Sequence, residues 1–219
     1  EAFDENGNPI PHKSVNLLIE FGRFVKEIKP AHVLVENVPG LKGKGAEVLD
    51  SFKQMLKDLG YEWDEKVLYA KDYGVPQSRP RGFIKIWKKG LLWSNPIPQK
   101  EITLREAIGD LPSLESGENG NIKWHYAKVH NERDIECMKH TPEGKSAFLN
   151  EVHFPKKANG EKMKGFHNTF ARMRWDEPCP ARTIQSGNMG GHNNVHPGRP
   201  LADGTFSDAR VLTMRELFI

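Results

Sequence analysis

Residues 32–40, HVLVENVPG, constrain the fold of this chain more than any other stretch. Four strand-forming positions run into an acid, an amide and a Pro-Gly turn, so a short strand stops abruptly at Glu36 and Asn37. Before it, Leu17, Leu18, Phe21, Phe24, Val25 and Ile28 recur at helical spacing behind a Ser14 cap, and Pro30 closes the segment. After it, Val48, Leu49, Phe52, Met55, Leu56 and Leu59 repeat that spacing up to Gly60. Further strands are expected over 61–69 and 82–87. Alternating helices and strands imply an α/β sheet, and residues 13–88 read as the later half of a doubly wound one. Ligands of such sheets gather beyond the carboxyl ends of the strands, where Glu36 and Asn37 emerge.

Beyond Lys89 the periodicity fades. Thr103-Leu-Arg-Glu106 and Thr213-Met-Arg-Glu216 are capping boxes, each announcing a helix. Thr141-Pro142-Glu143 reads as another helix start, because proline suits the first helical position. Residues 113–168 otherwise mix Gly, Asn, Lys, His and aromatic residues with little pattern, as a loop-rich module would. Trp124, His125 and Tyr126 are expected to form a small core within it. A strand-like piece returns near Phe170, then come the loop GNMGGHNNVHPG and a hairpin-like DGTFSD turn.

Composition narrows the class. With 20 Gly and 15 Pro, the 219 residues must form many turns. A formal charge of +3, from 32 basic and 29 acidic residues, neither demands nor excludes a nucleic-acid partner. Two cysteines, Cys137 and Cys179, cannot build a disulfide framework and fit a reducing interior. The spacing of His130, Cys137 and His140 is not that of a zinc site, so no metal is expected. There is no signal-peptide pattern and no 18-residue apolar run, which implies an intracellular protein with no membrane partner.

Two places carry candidate chemistry. The Glu36 carboxyl is placed to hydrogen-bond a polar ring edge or manage its proton, although alone it reads more readily as a solvated strand-end acid. Asn37 either supports it or caps the turn. In Gln77-x-Arg79-x-Arg81, alternation at a strand entry sets three polar side chains on one face. Arginine forks suit carbonyl or phosphate oxygens, and a solvent-facing basic edge is the alternative.

The two stretches 36–41, E-N-V-P-G-L, and 70–81, A-K-D-Y-G-V-P-Q-S-R-P-R, resemble the sixth and eighth motifs of the cytosine-C5 DNA methyltransferases in order and spacing. Arg174-Trp-Asp-Glu-Pro-Cys-Pro-Ala-Arg-Thr183-Ile184 resembles the ninth. His196-Pro197 and Arg210-Val-Leu-Thr-Met-Arg-Glu216 resemble the segment that follows it. The resemblance implies a Rossmann-like, S-adenosylmethionine-dependent fold: a partial catalytic α/β domain over 1–88, a target recognition domain over 89–195 and a return segment over 196–219. It also implies a reaction in which a cytosine is flipped from double-stranded DNA, a cysteine thiolate adds to C6, and C5 takes the methyl group before losing its proton. Glu36 would then contact the N3/N4 edge, Arg81 the O2 carbonyl, and Arg79 the base or its phosphate, with Gln77 supporting the loop. Arg172 and Arg174, with Lys156, Lys157, Lys162 and Lys164, are either phosphate contacts or a solvated basic surface. Thr183, Gln185, Asn188, Asn193 and Asn194 are candidate DNA-reading residues of the loop that follows.

Two family features are missing from these 219 residues: the Pro-Cys-Gln nucleophile loop upstream of E-N-V, and the Phe-x-Gly-x-Gly cofactor loop. Cys179 sits in Pro178-Cys179-Pro180, inside the ninth-motif match, and reads as structural. Gln185-Ser-Gly-Asn188 echoes a later family motif but falls too early. S-adenosylmethionine is therefore expected to bind mainly to parts outside this chain, which alone should transfer no methyl group. The chain is expected to be a piece of a longer enzyme, with a split enzyme whose partner subunit carries the cysteine, or a permuted one, as alternatives. A non-catalytic DNA-binding subunit and a transfer-RNA cytosine-5 methyltransferase are the rival functions.

Overall fold

The computed structural model describes residues 17–40, 45–157, 159–165, 168–182 and 195–219. The chain divides into two units, one holding the residues up to Tyr69 with Pro80–Ile97, the other Ala70–Arg79 with Pro98–Ile219.

The first unit is mixed α/β. Helix α1 (Leu17–Ile28) leads into strand β1 (His32–Asn37), then helix α2 (Ala46–Asp58) and strand β2 (Tyr61–Tyr69). The unit closes with β4 (Pro80–Lys88), which lies antiparallel between β1 and β2 in a sheet of order β1-β4-β2. Strands β1 and β2 therefore run the same way, as the helical crossover between them requires, with a reversed strand inserted. Gly60, at φ +75°, makes the tight exit from α2 into β2. The core consists of Val25, Val33, Leu49, Phe52, Leu56, Tyr61, Ile84 and Ile86. Each such burial contributes about 1.5–3 kcal/mol.

Helix α1 buries a narrower face than its apolar spacing suggests. Val25 and Gly22 are buried and Leu18 packs at the core edge, while Leu17, Phe24 and Ile28 are exposed. Gly22 sets the approach to α2: a Cβ there would stand 3.0 Å from Met55 Sδ. The Ser14 cap lies outside the described residues. On β4, Lys85 is buried between Ile84 and Ile86, with its ammonium 2.6 Å from Asn95 Oδ1 and 3.5 Å from Asp64.

The second unit has little regular structure. Strand β3 (Gln77–Ser78) pairs in parallel with β5 (Cys179–Pro180). Helix α3 (Leu104–Ile108) begins at Thr103 and helix α5 (Met214–Leu217) at Thr213, each with both hydrogen bonds of its capping box formed. The helix expected from Thr141 is displaced upstream. Helix α4 (Glu132–Lys139) starts at Asn131, whose side chain accepts from Asp134 N–H, and is over before Thr141. The Thr141 hydroxyl donates to Cys137 O, and Pro142 opens a turn closed by Lys145 N–H. Proline has a fixed φ that serves a turn as well as a helix start, and no apolar stripe follows to decide for helix.

Two small apolar clusters, around Met138 with Val195 and Val211 and around Trp175 with Leu104 and Leu212, are joined by buried polar groups. The hairpin at 200–206 forms as expected, with Pro200 bridged to Phe206. Of the aromatic trio only His125 is core, held between Thr213 Oγ1 and Pro112 O. Trp124 and Tyr126 are exposed.

Candidate functional site

Glu36 and Arg81 meet. Glu36 sits opposite Phe83 in the β1–β4 register, and Arg81 is two residues earlier on β4, so the two share one sheet face as diagonal neighbours. Arginine spans that diagonal: Nε lies 2.7 Å from Glu36 Oε1, with the Arg81 side chain 19% and the Glu36 side chain 50% exposed. A second guanidinium nitrogen of Arg81 donates to Pro80 O at 2.7 Å. Asn37, opposite Gly82, accepts from Val38 N–H at 2.7 Å through Oδ1, so its amide holds the turn. The result is an acid and a fixed donor fork, side by side at the end of β1, open to solvent on the Glu36 side. Such a pair can present both an acceptor and a donor to the edge of a polar ring.

The expected common face of Gln77, Arg79 and Arg81 is not formed. Gln77 N–H bonds Val75 O at 2.6 Å and Arg79 N–H bonds Gln77 O at 3.0 Å, two-residue turns that break the alternation. Pro80 then restarts the chain as β4 without an N–H to extend the earlier pairing. Gln77 and Arg79 consequently belong to the second unit and Arg81 to the first. Arg79 donates to Arg182 O at 3.2 Å.

Arg172 is not the phosphate contact its sequence context suggested. It is 1% exposed, and its guanidinium donates to the backbone carbonyls of Thr141, Met138 and His196. Burial pulls its pKa down to about 10, which still leaves it charged at neutral pH. The acceptors, two loop carbonyls and one in the last turn of α4, are distant in sequence, so no local signal exposes this role. Gly198, at φ +66°, makes room for it: a Cβ there would lie 2.4 Å from Arg172 Nη1. Arg174 is exposed and pairs with Glu177 at 2.7 Å. Lys156 and Lys162 flank the Phe154 ring at 4.9 and 4.7 Å, and Lys157 pairs with Glu161. Thr183, Gln185, Asn188, Asn193 and Asn194 lie outside the described residues.

Neither thiol is placed as a nucleophile. Cys137 and Cys179 are both buried, and burial pushes Cys137 up to about 11 and raises Cys179 as well. The Cys179 sulfur faces Met173 Sδ at 3.7 Å. His130, Cys137 and His140 do not converge: His130 accepts from Val211 N–H at 3.3 Å, whereas His140 stands with Glu136 and His153.

Sequence reasoning also missed the polar centre of the second unit. All five N–H donors of the fully buried Arg210 are used: Leu114 O, Val211 O, Asp208 Oδ1 and both oxygens of Glu216. His196 Nδ1 accepts from Gly198 N–H, and its Nε2 lies 3.5 Å from Glu216. Burial alone would raise the Glu216 carboxyl, but His196 and Arg210 outweigh it and hold the group well below the usual carboxylate range. The signal was there: the His196-Pro197 and Arg210-to-Glu216 stretches are the ones that come together.

Comparison with known proteins agrees with this architecture. The family model of the C-5 cytosine-specific DNA methylases matches residues 5–219. The chain is 50% identical over 200 residues to the type II methyltransferase M1.HgaI of Avibacterium volantium, covering 89% of this chain and 56% of that protein. It is 31% identical over 211 residues to the type II methylase M.HgiDII of Herpetosiphon aurantiacus, covering 91% and 56%. The chain thus spans about half the length of these curated relatives. A crystal structure of a DNA modification methyltransferase encoded within an E. coli prophage superposes with a TM-score of 0.62 at 19% identity, covering 92% of this chain and 62% of that one, a likeness of fold. Among the described residues no helix is long and apolar enough to cross a membrane. The chain belongs to the C-5 cytosine-specific DNA methylase family.

Proposed function

We propose that this chain supplies the base-holding part of a DNA (cytosine-5-)-methyltransferase of the restriction-modification type, acting on a cytosine flipped out of double-stranded DNA. The observation that carries the reading is the 2.7 Å Arg81–Glu36 pair at the end of β1, in stretches that resemble two motifs of the family. The Glu36 carboxyl hydrogen-bonds the N3/N4 edge of the base and favours a proton on N3, while Arg81 holds the O2 carbonyl. Both contacts draw electron density from the ring so that C6 accepts a thiolate, and it is that addition, breaking the C5–C6 double bond, that makes C5 nucleophilic. Asn37 keeps the turn beneath Glu36 in place, and Arg79 and Gln77 support the neighbouring loop.

S-adenosylmethionine, when bound, supplies the methyl group. The 219 residues contain no Phe-x-Gly-x-Gly loop of the kind that would cradle it, and both thiols are buried. Cofactor and nucleophile are therefore assigned to parts of the enzyme outside this chain. In this reading residues 1–88 belong to the catalytic domain, 89–195 carry target recognition and 196–219 lead back. The loop residues Thr183, Gln185, Asn188, Asn193 and Asn194 read the DNA, and Arg174 is the arginine left exposed for a phosphate.

The test is transfer of labelled methyl to mixed-sequence duplex DNA, with transfer RNA as a second substrate, by the chain alone and combined with the remaining part of a full-length relative. No transfer alone is expected, with transfer to cytosine C5 of DNA once combined, slowed about 100-fold or more by Glu36→Gln. Transfer by the chain alone, or a combined enzyme indifferent to Glu36→Gln, would overturn the reading. Preference for transfer RNA would move the substrate assignment while leaving the base-holding roles.

A further inference from the structure

Away from the Glu36–Arg81 pair, the second unit brings three metal-competent side chains together at the end of α4. Glu136 lies in the last turn of the helix and His140 one turn on, the i, i+4 spacing that sets two side chains on one face. His153 arrives from the loop beyond the Ala147–Leu149 turn. One carboxylate oxygen, Glu136 Oε2, is approached by both imidazoles: His140 Nε2 at 3.5 Å and His153 Nδ1 at 3.8 Å. The rings stack with centroids 3.8 Å apart and planes 8° from parallel. The three ligand atoms all lie within 4.8 Å of one another.

We propose that Glu136, His140 and His153 form a binding site for one transition-metal ion of the zinc class. The donor set is the first argument. Two imidazoles and a carboxylate suit zinc and its neighbours, and three protein ligands leave a fourth position for water. The spacing is the second. Ligands about 2.1 Å from a tetrahedral centre sit about 3.4 Å apart, so the present 3.5 and 3.8 Å need only slight contraction, and the two ring nitrogens, within 4.8 Å, close as the rings rotate out of their stack. The scaffold is the third. Asn150 Nδ2 donates to His153 O at 2.7 Å, to Thr141 Oγ1 at 3.2 Å and to Cys137 O at 3.3 Å, which ties the loop bearing His153 to the end of the helix bearing the other two. All three side chains are partly exposed, so an ion can enter without unfolding. A bound ion would replace a weak solvated cluster by a clamp joining α4 to the 150–153 turn. The proposal does not depend on the base-holding reading.

The experiment is calorimetric titration of the chain with Zn²⁺ at neutral pH, with Mg²⁺ as the hard-cation comparison. One saturable Zn²⁺ per chain is expected, in the micromolar range or tighter, with a raised melting temperature and no response to Mg²⁺. His140→Ala, His153→Ala and Glu136→Gln should each weaken binding about tenfold or more, whereas His32→Ala, in the other unit, should leave it unchanged. Far-ultraviolet circular dichroism confirms folding, and His153→Asn replaces any variant that fails it. Absence of saturable binding, binding unaltered by the three variants, or equal loss with His32→Ala would overturn the proposal and leave a solvated histidine pair.

Discussion

Arg210→Met should destabilise the second unit by about 3 to 5 kcal/mol at neutral pH, the range found when one partner of a buried ionic group is removed. Arg210 is fully buried and compensates two carboxylates, Asp208 at 3.0 Å and Glu216 at 2.8 Å. With its guanidinium gone, the arginine still ion-paired with them is Arg199, 3.7 Å from Asp208 and half exposed, and the carbonyls of Leu114 and Val211 lose their donor. For about 219 residues such a loss lowers the melting temperature by about 10 °C. The pH dependence carries the sign. In the native chain the Glu216 and Asp208 carboxyls are depressed, so their contribution is complete above their unfolded values and is lost as pH falls through the folded ones. His196 is likewise depressed, chiefly by burial, and its contribution fades as pH drops below its ordinary value. The native chain should therefore lose stability towards acid. Without Arg210, Glu216 keeps only His196 of the two groups that outweigh its burial and its folded value rises, so the variant is penalised most at neutral pH and least in acid. Urea denaturation at pH 7 and pH 5 reads both effects, and Arg210→Lys, which keeps charge but not the fork, should fall between. A loss below about 1 kcal/mol, or a gap that widens in acid, would refute the argument.

Three further outcomes follow from the same geometry. Arg172→Met strands three buried carbonyls and should cost about 3 kcal/mol, while Arg174→Ala, at an exposed ion pair, should stay within about 0.5 kcal/mol; parallel thermal melts compare them. Gly198→Ala should cost about 1–3 kcal/mol in the same melts, because the added Cβ meets Arg172 and Ser207 O at a left-handed φ. Cys137 and Cys179 should resist a thiol reagent in the native chain and both react in urea; rapid native labelling of Cys179 would reopen its candidacy as a nucleophile.

What the sequence disclosed follows the range of the forces involved. Helices α1 and α2, strands β1, β2 and β4 and both capping boxes rest on periodicity and on contacts three or four residues apart, and they were legible. The start of α4 was equally local, an Asn131 cap before an acidic first turn, but the proline at 142 was the louder signal and pointed one helix too late. Arg172 illustrates the opposite limit. Its neighbours in sequence look like a basic surface, yet carbonyls 24 to 34 residues away make it an internal strut. The alternation of Gln77, Arg79 and Arg81 failed because two tight turns and Pro80 intervene, which side-chain pattern alone does not register.

The Glu36–Arg81 pair could be named but not joined from sequence, since 45 positions separate its members and only the β1–β4 register makes them diagonal neighbours. That register matters for the proposed chemistry. An ion pair exposed on its carboxylate side is worth about 0–1 kcal/mol, so an incoming ring edge that takes over some of its hydrogen bonds has little to displace. Enclosure by bound DNA would then lower the local dielectric and strengthen the acid's and the fork's hold on charge building in the ring. The pair is thus weak when open and strong when covered, which favours the transition state over the resting chain. Arg81→Lys keeps the charge but loses the fork. It should lower kcat more than it raises KM, and a change confined to KM would show that Arg81 merely helps the base bind.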